Sequence, residues 1–285
     1  MARYDWESNR QKSGNERNKR NASSLDQRKG NKVIMTQKTC LIVGFGRAGK
    51  RHKKHAEEFG LKVQIHDPIL GMSGWNPHTD KPDYVVIATP PANHLDYLRQ
   101  FIDADSKILC EKPLCGLGEL EQAKKYLSHP NVNNVMVAYN WRYHPAIVSR
   151  KQSSNNASLN FLQTRLDLPH WGLLLDHVSH SLDILRTLTH DNLAINLAEY
   201  IKIHDQKSWL IEASTGWLTE TIYTATEKPR RNMITTEREA FFLDPDSSMF
   251  TNMWERFLSG DYAGDYEEAI LTQQLIEECA KYDKS

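Results

Sequence analysis

The stretch Gly44-Phe45-Gly46-Arg47-Ala48-Gly49 has the spacing GxGxxG and follows a short apolar run, Thr39–Val43. Residues 47–59 have a helical pattern, so the glycines stand between a predicted strand and a predicted helix. In that position Gly44 permits a tight turn, Gly46 lets the backbone approach a pyrophosphate, and Gly49 allows close packing of helix and strand. Because the amides of a helix N-terminus attract phosphates, the stretch predicts a dinucleotide-binding turn.

Strands and helices alternate after this turn. Strands are predicted at 61–66, 83–88, 107–110 and 134–138, and helices at 93–103 and 117–127. Such alternation with short loops predicts an α/β fold with a doubly wound parallel sheet of the Rossmann type, whose functional groups lie at the carboxyl ends of the strands.

The pattern changes after about residue 150. A helix at 173–188 precedes strand-like stretches near 193–203, 208–215, 217–226 and 232–243, and helices near 248–258 and 266–282. Consecutive strands followed by helices predict an α+β domain with an open, mainly antiparallel sheet. We therefore predict an NAD(P)-binding Rossmann domain over 38–150 and a shortened substrate and oligomerisation domain over 151–285, whose C-terminal helices are free to pack back on the first domain.

Charge separates a leader from the rest of the chain. The 285 residues hold 36 Lys and Arg and 36 Asp and Glu, yet residues 1–37 hold nine basic and four acidic residues. This leader is polar and without periodicity, which predicts disorder, a basic arm for a polyanion being the alternative. Met35 is a candidate alternative start. The acidic body predicts no nucleic-acid partner.

Apolar runs and cysteines bear on the cellular compartment of the protein. No apolar run is long enough to cross a bilayer, so no membrane partner is expected. The four cysteines form no CxxC pair. They are expected to be reduced thiols of a cytoplasmic protein.

Acidic and basic residues near the glycine turn bear on the choice of cofactor. Asp67 ends the second predicted strand, where a carboxylate binds a ribose 2′-hydroxyl and disfavours a 2′-phosphate. NAD is therefore the expected cofactor. The cations Lys50, Arg51, Lys53 and Lys54 leave NADP possible.

Two further motifs carry candidate chemistry. Lys112 of Glu111-Lys112-Pro113 follows the fourth strand, where its ammonium is placed to donate to a substrate hydroxyl and to lower the pKa of a base. On the 173–188 helix, Asp176 and His180 are four residues apart and share a face, which Asp183 extends. Histidine suits removal of an alcohol proton near neutral pH. The alternatives are a surface ion pair for the lysine and a purely structural polar network for the helix.

The same helix and the residues before it contain side chains that bind metals in other proteins. His170, Asp176, His177 and His180 are possible ligands, but His177 lies round the helix from Asp176. With no Cys ligand and no HExxH pattern, no metal is expected.

In combination these residues resemble the Gfo/Idh/MocA family of nucleotide-dependent oxidoreductases. Further matching pieces are Ala88-Thr89-Pro90-Pro91 with His94, Cys110–Leu114, Tyr139–Pro145, and the helices with Phe250, Trp254, Phe257 and Glu267-Glu268-Ala269. The resemblance implies catalytic roles for Lys112, Asp176 and His180. It assigns the cofactor to Gly44, Phe45, Gly46, Arg47, Ala48, Gly49, Asp67, Thr89, Pro90, Pro91, His94, Glu111 and Lys112. It also implies a homo-oligomer, dimer or tetramer, formed through the C-terminal sheet.

One departure concerns the substrate pocket. The family often has a glycine run before the catalytic helix, whereas this chain has His170-Trp171-Gly172. These bulky side chains either shape the pocket or close it. Weaker candidates for substrate contact are Arg142, Tyr143, His170 and Trp171.

The expected reaction is hydride transfer between nicotinamide and a secondary alcohol or ketone of a sugar, nucleotide-sugar or cyclitol. His180 takes the hydroxyl proton, Lys112 hydrogen-bonds the same oxygen, and Asp176 orients the substrate or His180. The alternatives are a biliverdin-like or imine reductase of this architecture and a non-catalytic NAD(P)-binding sensor or scaffold.

Overall fold

The computed structural model describes residues 37–76, 79–164, 172–189, 193–203, 206–223 and 231–282. The chain divides into two units, Met1–Thr36 and Gln37–Ser285, and every described helix and strand belongs to the second. The predicted leader up to residue 36, with Met35, lies outside the described residues, as do His170 and Trp171.

The first sheet has the order β3-β2-β1-β4-β5-β6. Its strands are β1 Thr39–Val43, β2 Lys62–Asp67, β3 Met72–Ser73, β4 Tyr84–Ile87, β5 Lys107–Cys110 and β6 Val135–Val137. All pair in parallel except the short β3, which is antiparallel to β2 and was not predicted. Helices α1 Arg47–Glu58, α2 His94–Phe101 and α3 Leu120–Lys124 connect these strands. The doubly wound parallel sheet predicted from the sequence is confirmed.

The strand order creates a crevice at the carboxyl ends of two neighbouring strands. The chain pairs β2 on one side of β1 and β4 on the other. The carboxyl ends of β1 and β4 therefore flank a topological switch point, where ligands of such sheets bind. β4 and β6 are buried along their whole length, as expected for apolar strands covered on both faces.

The second sheet has the order β12-β11-β7-β10-β9-β8. Its strands are β7 Ala157–Thr164, β8 Ile195–Ile203, β9 Gln206–Ala213, β10 Gly216–Tyr223, β11 Arg231–Thr236 and β12 Ala240–Phe242. Every pairing is antiparallel except that of β7 with β10. The mainly antiparallel open sheet is confirmed.

The sheet differs from the prediction at two points. Strand β7 was not predicted, although it lies in the middle of the sheet. The stretch 232–243 is not one strand but the hairpin β11–β12, in which Met233 faces Phe242. The two chain directions are joined by a bend at Glu237 and Arg238.

The remaining helices connect the two sheets. They are α4 Pro145–Val148, α5 Ser179–Leu188 directly after a π-helical turn at Leu174–Val178, α6 Ser248–Ser259 and α7 Asp265–Ala280. Helix α6 buries Met253, Trp254 and Phe257 with residues of the first sheet. Helix α7 places Ile270 in a core of the first sheet and Ile276 in the core of the second. The proposed domain boundary near residue 150 thus stays a prediction.

No helix in the described ranges has both the length and the apolar character needed to cross a membrane. All four cysteines, Cys40, Cys110, Cys115 and Cys279, are buried free thiols.

Candidate active site

A cavity of about 980 Å³ opens at the carboxyl ends of the first sheet's strands. Its wall combines the turns after β1, β2, β4 and β5 with the π-helical turn, the start of α5 and the start of α6. The glycine turn lines one side, and Lys112, Asp176 and His180 line another. The structure therefore brings the predicted dinucleotide turn and the predicted catalytic residues to one cavity.

Two glycines of the turn are required by their surroundings. Gly44 has φ +86°, and a Cβ there would lie 2.7 Å from the carbonyl oxygen of Ala88. A Cβ on Gly49 would lie 2.0 Å from the carbonyl oxygen of Gly44. Both contacts are with backbone, which cannot move aside, so these positions accept only glycine. This agrees with the predicted roles of a tight turn and of close helix–strand packing.

Gly46 differs from both, because a Cβ there would meet nothing within 4 Å. It stands just before the first residue of α1, with no side chain capping the helix. The first amides of a helix have no partner within it, and the N-terminus of α1 lies at the cavity wall, where such amides attract an anion. Arg47 and Arg51 line the same part of the wall. An open cradle of amides and cations fits the pyrophosphate of a dinucleotide.

Asp67 ties this turn to the end of β2. Its Oδ2 accepts the Phe45 N–H at 2.7 Å, and its Oδ1 accepts the N–H groups of Ile69 and Leu70, each at 3.1 Å. A carboxylate oxygen has room for a second hydrogen bond. Because Asp67 lines the cavity, Oδ2 retains capacity for a ribose hydroxyl. The residues present therefore fit NAD.

Lys112 reaches across the cavity to the second half of the molecule. Its Nζ lies 3.1 Å from Asp176 Oδ1 and also donates to the carbonyl oxygen of Asp176. Both side chains are largely shielded, with 11% and 14% of their surface exposed. The Lys112–Pro113 peptide is cis. The lysine is thus not part of a surface ion pair.

Asp176 lies in the π-helical turn at Leu174–Val178. Such turns are frequent at functional sites, because the wider turn re-aims side chains. Here Asp176, His177, His180 and Ser181 all line the cavity. His177 was expected to lie round the helix from Asp176, but its Nε2 is 3.3 Å from Asp176 Oδ2.

His180 is held in its neutral form. Its pKa lies well below the ordinary value of 6.5, first because the ring is buried and then because of the positive charge of Lys112. The ring packs edge-on against Tyr139 with 6.2 Å between ring centres. Its buried Nδ1 has no hydrogen-bond partner among the described residues. A neutral imidazole facing the cavity is able to accept a proton near neutral pH.

A buried carboxylate behind helix α5 was not predicted from the sequence. Glu220 on β10 is fully buried and accepts a 2.6 Å hydrogen bond from the Ser181 hydroxyl. His177 Nδ1 lies 3.8 Å from Glu220 Oε1. A signal was present, because Glu220 occupies a core-facing position between Leu218 and Ile222 on an alternating strand. Other wall residues missed by sequence reasoning are Asn140, Trp141, Phe161, Pro245, Met249 and Phe250.

The predicted substrate contacts Arg142 and Tyr143 lie outside the cavity wall, as do the predicted cofactor contacts Phe45 and Gly49. Arg142 pairs with the buried carboxylates of Asp183 and Asp265. Tyr143 is buried in a core of the first sheet. Both side chains are therefore engaged within the protein, Arg142 in ion pairs and Tyr143 in the core, and neither faces a ligand in the cavity. Asp183, expected to extend the catalytic stripe, belongs to the Arg142 cluster.

His94, predicted to contact the cofactor, is also fully buried behind the wall. Its ring nitrogens each lie 2.9 Å from a backbone carbonyl oxygen, that of Thr89 and that of Pro113. It therefore links the turn after β4 to the turn after β5. The neighbouring Thr89, Pro90, Pro91 and Glu111 do line the cavity.

Comparison with known proteins gives a family match over part of the chain. Residues 27–141 match the Gfo/Idh/MocA family, described as an oxidoreductase family with an NAD-binding Rossmann fold. No curated protein sequence matches the chain significantly.

Solved structures extend the likeness over both sheets. A myo-inositol dehydrogenase from Corynebacterium glutamicum has a TM-score of 0.70 at 15% identity, covering 87% of this chain and 97% of that one. The UDP-N-acetylglucosamine 3-dehydrogenase GnnA from Acidithiobacillus ferrooxidans has a TM-score of 0.67 at 15% identity, covering 87% and 99%. A scyllo-inositol dehydrogenase from Lactobacillus casei, solved with NAD(H) and scyllo-inositol, has a TM-score of 0.66 at 14% identity, covering 86% and 96%. At these identities the likeness establishes a shared fold.

Proposed function

We propose that this chain, which belongs to the Gfo/Idh/MocA family of oxidoreductases, is an NAD-dependent dehydrogenase acting on a secondary alcohol or ketone of a sugar, nucleotide-sugar or cyclitol. One observation carries the proposal: the Lys112–Asp176 pair and the neutral His180 share a cavity with the glycine turn. Structures with this fold include inositol and UDP-sugar dehydrogenases, which supports the substrate class.

The chain's own residues divide the work of binding and proton transfer. The 44–49 turn and Asp67 hold the dinucleotide, and bound NAD supplies the hydride acceptor. The His180 imidazole takes the proton of the substrate hydroxyl, while the Lys112 ammonium donates a hydrogen bond to the same oxygen. Asp176 orients Lys112, because its carboxylate lies 3.1 Å from the ammonium. This replaces the expectation that Asp176 acts on the substrate or on His180.

The test is a substrate panel followed by NADH fluorescence. Purified protein is given NAD with cyclitols, free sugars and UDP-sugars, and NADH with biliverdin and a cyclic imine. Turnover of an alcohol substrate is the expected result. Turnover of only biliverdin or the imine replaces the proposal by a reductase, and tight NAD binding with no turnover replaces it by a binding module.

Two variants then test the residue roles. Lys112→Ala and His180→Ala are expected to lower kcat about a hundredfold or more while NAD binding is kept. The matched control is Lys124→Ala, since Lys124 pairs with Glu121 away from the cavity. Turnover close to wild type in both site variants contradicts the assignment.

We also propose that the protein is a homo-oligomer formed through the outer face of the second sheet. Leu197, Trp217, Met233 and Phe242 are large apolar side chains that remain exposed. Trp217 and Leu197 both pair with Glu212, and Met233 pairs with Phe242, so these residues lie on the face opposite the core. An apolar sheet face is a typical protein contact. The buried free thiols suit the reducing cytoplasm, where we place the enzyme.

A further inference from the structure

Three side chains from distant parts of the chain form a line behind Lys112. The Trp254 indole Nε1 on α6 lies 3.2 Å from His52 Nδ1 on α1. His52 Nε2 lies 2.9 Å from Glu111 Oε1. The other carboxylate oxygen, Glu111 Oε2, accepts the backbone N–H of Lys112 at 3.1 Å. His52 and Trp254 are fully buried.

The two hydrogen-bond partners of His52 determine which of its ring nitrogens carries the proton. An indole N–H only donates, so the bond from Trp254 requires an unprotonated Nδ1. A neutral imidazole carries one proton, which then resides on Nε2 and is donated to Glu111. A second proton on the ring would set two N–H groups against each other at Nδ1. Trp254 therefore selects one neutral tautomer of His52.

Glu111 directly follows β5 and lines the cavity. Each oxygen has a fixed donor, one the His52 ring and the other the Lys112 amide. The backbone that carries the cavity's ammonium group is thereby tied to helix α1.

We propose that His52 is a positioning residue for Lys112, acting through Glu111 in the tautomer that Trp254 selects. This inference rests on the proposed function, in which Lys112 contacts the reacting oxygen. The inference goes beyond that function by making helix α6, from the last part of the chain, a component of the device that aims the lysine. Misplacement of a catalytic group by about 1 Å costs up to a hundredfold in rate, so the device is expected to affect kcat.

The chain offers a matched control for the chemistry of His52. His129 Nε2 lies 3.0 Å from Asp103 Oδ1, and its Nδ1 accepts the backbone N–H of Asn131 at 3.2 Å. The ring thus accepts an N–H at one nitrogen and faces a carboxylate with the other, as the His52 ring does. His129 does not line the cavity. Its replacement removes the same kind of pair without touching Lys112.

The first measurement is ¹⁵N NMR of protein labelled on its histidines, which reports the protonation of each ring nitrogen. We expect His52 to be protonated at Nε2 alone, and Trp254→Phe to remove the restriction on Nδ1. A protonated Nδ1 in the wild-type protein overturns the proposal. This readout needs neither substrate nor NAD turnover, so it stands even if the proposed function fails.

The second measurement is steady-state kinetics with NAD affinity measured separately. His52→Leu is expected to lower kcat about tenfold or more, with KM and NAD affinity changed less than about threefold. His52→Gln, whose amide N–H is able to donate to Glu111, is expected to recover part of that loss, and His129→Leu to match wild type. A merely structural role of His52 predicts a lower Tm with unchanged kcat per folded molecule, and that result overturns the proposal.

Failure of the two proposals is distinguishable. If no alcohol is turned over, the dehydrogenase proposal fails, and a crystal structure of His52→Leu still shows whether Lys112 Nζ has left Asp176. If His52→Leu does not fold, Trp254→Phe carries the test, because it keeps an aromatic side chain and removes the indole donor. Unchanged kcat and an unchanged Lys112 in Trp254→Phe exclude positioning.

Discussion

Lys112 Nζ lies 3.1 Å from Asp176 Oδ1, although the two residues are 64 positions apart. The pair joins the loop after β5 to the π-helical turn that precedes α5. A nucleotide-binding sheet and a substrate-side helix are thereby held at one point. The contact gives the proposed reaction its geometry, and the variants below separate charge, burial and backbone shape.

Removing the charge of Asp176 tests the orientation of Lys112. In Asp176→Asn the backbone carbonyl still accepts from Lys112, but the ion pair is lost. We expect kcat to fall about tenfold, within the range for a partly displaced catalytic group, with NAD affinity unchanged. Asp103→Asn, which alters an exposed pair with His129, is the control. Equal kcat for Asp176→Asn and wild type would argue against an orienting role.

The pKa of His180 is expected to respond to the charge of Lys112. Burial and the Lys112 ammonium both lower this pKa. Lys112→Met removes the second cause, so the pKa should rise towards 6.5, whereas Lys112→Arg keeps the charge and should keep the pKa low. NMR titration of the His180 ring measures both. An unchanged pKa in Lys112→Met would show that the two groups do not interact.

Stability is expected to fall as the pH drops below about 6.5. Burial lowers the pKa of His94 and of His180 from the ordinary 6.5. Between 6.5 and the lowered values the unfolded chain binds protons that the folded protein does not, so unfolding becomes more favourable. Each unit of depression corresponds to about 1.4 kcal/mol. Above pH 6.5 these histidines are neutral in both the folded and the unfolded state, so the loss of stability is absent there.

Chemical denaturation at pH 7.5 and pH 5.5 measures this loss. Carboxyl groups such as Glu111, with an ordinary pKa of 4.5, titrate mainly below that window. Between these two pH values His180→Gln should lose less stability than wild type, because one of the histidine rings with a lowered pKa is gone. A loss as large as that of wild type would exclude a contribution from His180.

Two glycine variants should separate folding from nucleotide binding. Gly49→Ala places a Cβ 2.0 Å from the Gly44 carbonyl oxygen and is expected to destabilise the fold by about 2 kcal/mol or more. Gly46→Ala meets nothing within 4 Å and should keep the wild-type Tm. If the cavity takes the pyrophosphate at this turn, Gly46→Ala should weaken NAD binding. Thermal unfolding and NAD titration give the two readouts, and a normal NAD affinity for Gly46→Ala would move the pyrophosphate elsewhere.

A charge on the outer face of the second sheet should dissociate the proposed oligomer. Trp217 is exposed and sits beside Glu212 on the neighbouring strand. Trp217→Glu sets two like charges side by side on an apolar face, which should yield monomers in sedimentation velocity. The control Leu127→Glu alters an exposed apolar residue away from this sheet. A wild-type protein that sediments as a monomer would refute the interface.

The first sheet was predictable because its signals are local. Each strand is a short apolar run, and each turn carries Gly, Pro or Asp at its end, so the strand and helix bounds follow from neighbours in sequence. The glycine turn and Asp67 could likewise be predicted, because together they form a sequence motif. The identities of Lys112, Asp176 and His180 followed from a resemblance that combines several motifs.

What the sequence did not reveal depends on contacts between distant segments. Strand β7 gains its place by pairing with β10 and β11, more than 50 positions later. No simple periodicity predicts the π-helical turn at Leu174–Val178. Glu220 comes beside Ser181 only when β10 packs under α5. Arg142 looked free in sequence but meets Asp183 and Asp265 in the fold.

The bond between Trp254 and His52 spans 202 positions of the chain. A ribosome releases the glycine turn, Lys112 and the π-helical turn well before it releases α6. On the emerging chain, His52 therefore lacks its indole partner until α6 has been synthesised. The aiming of Lys112 that we propose thus depends on the part of the device that is made last.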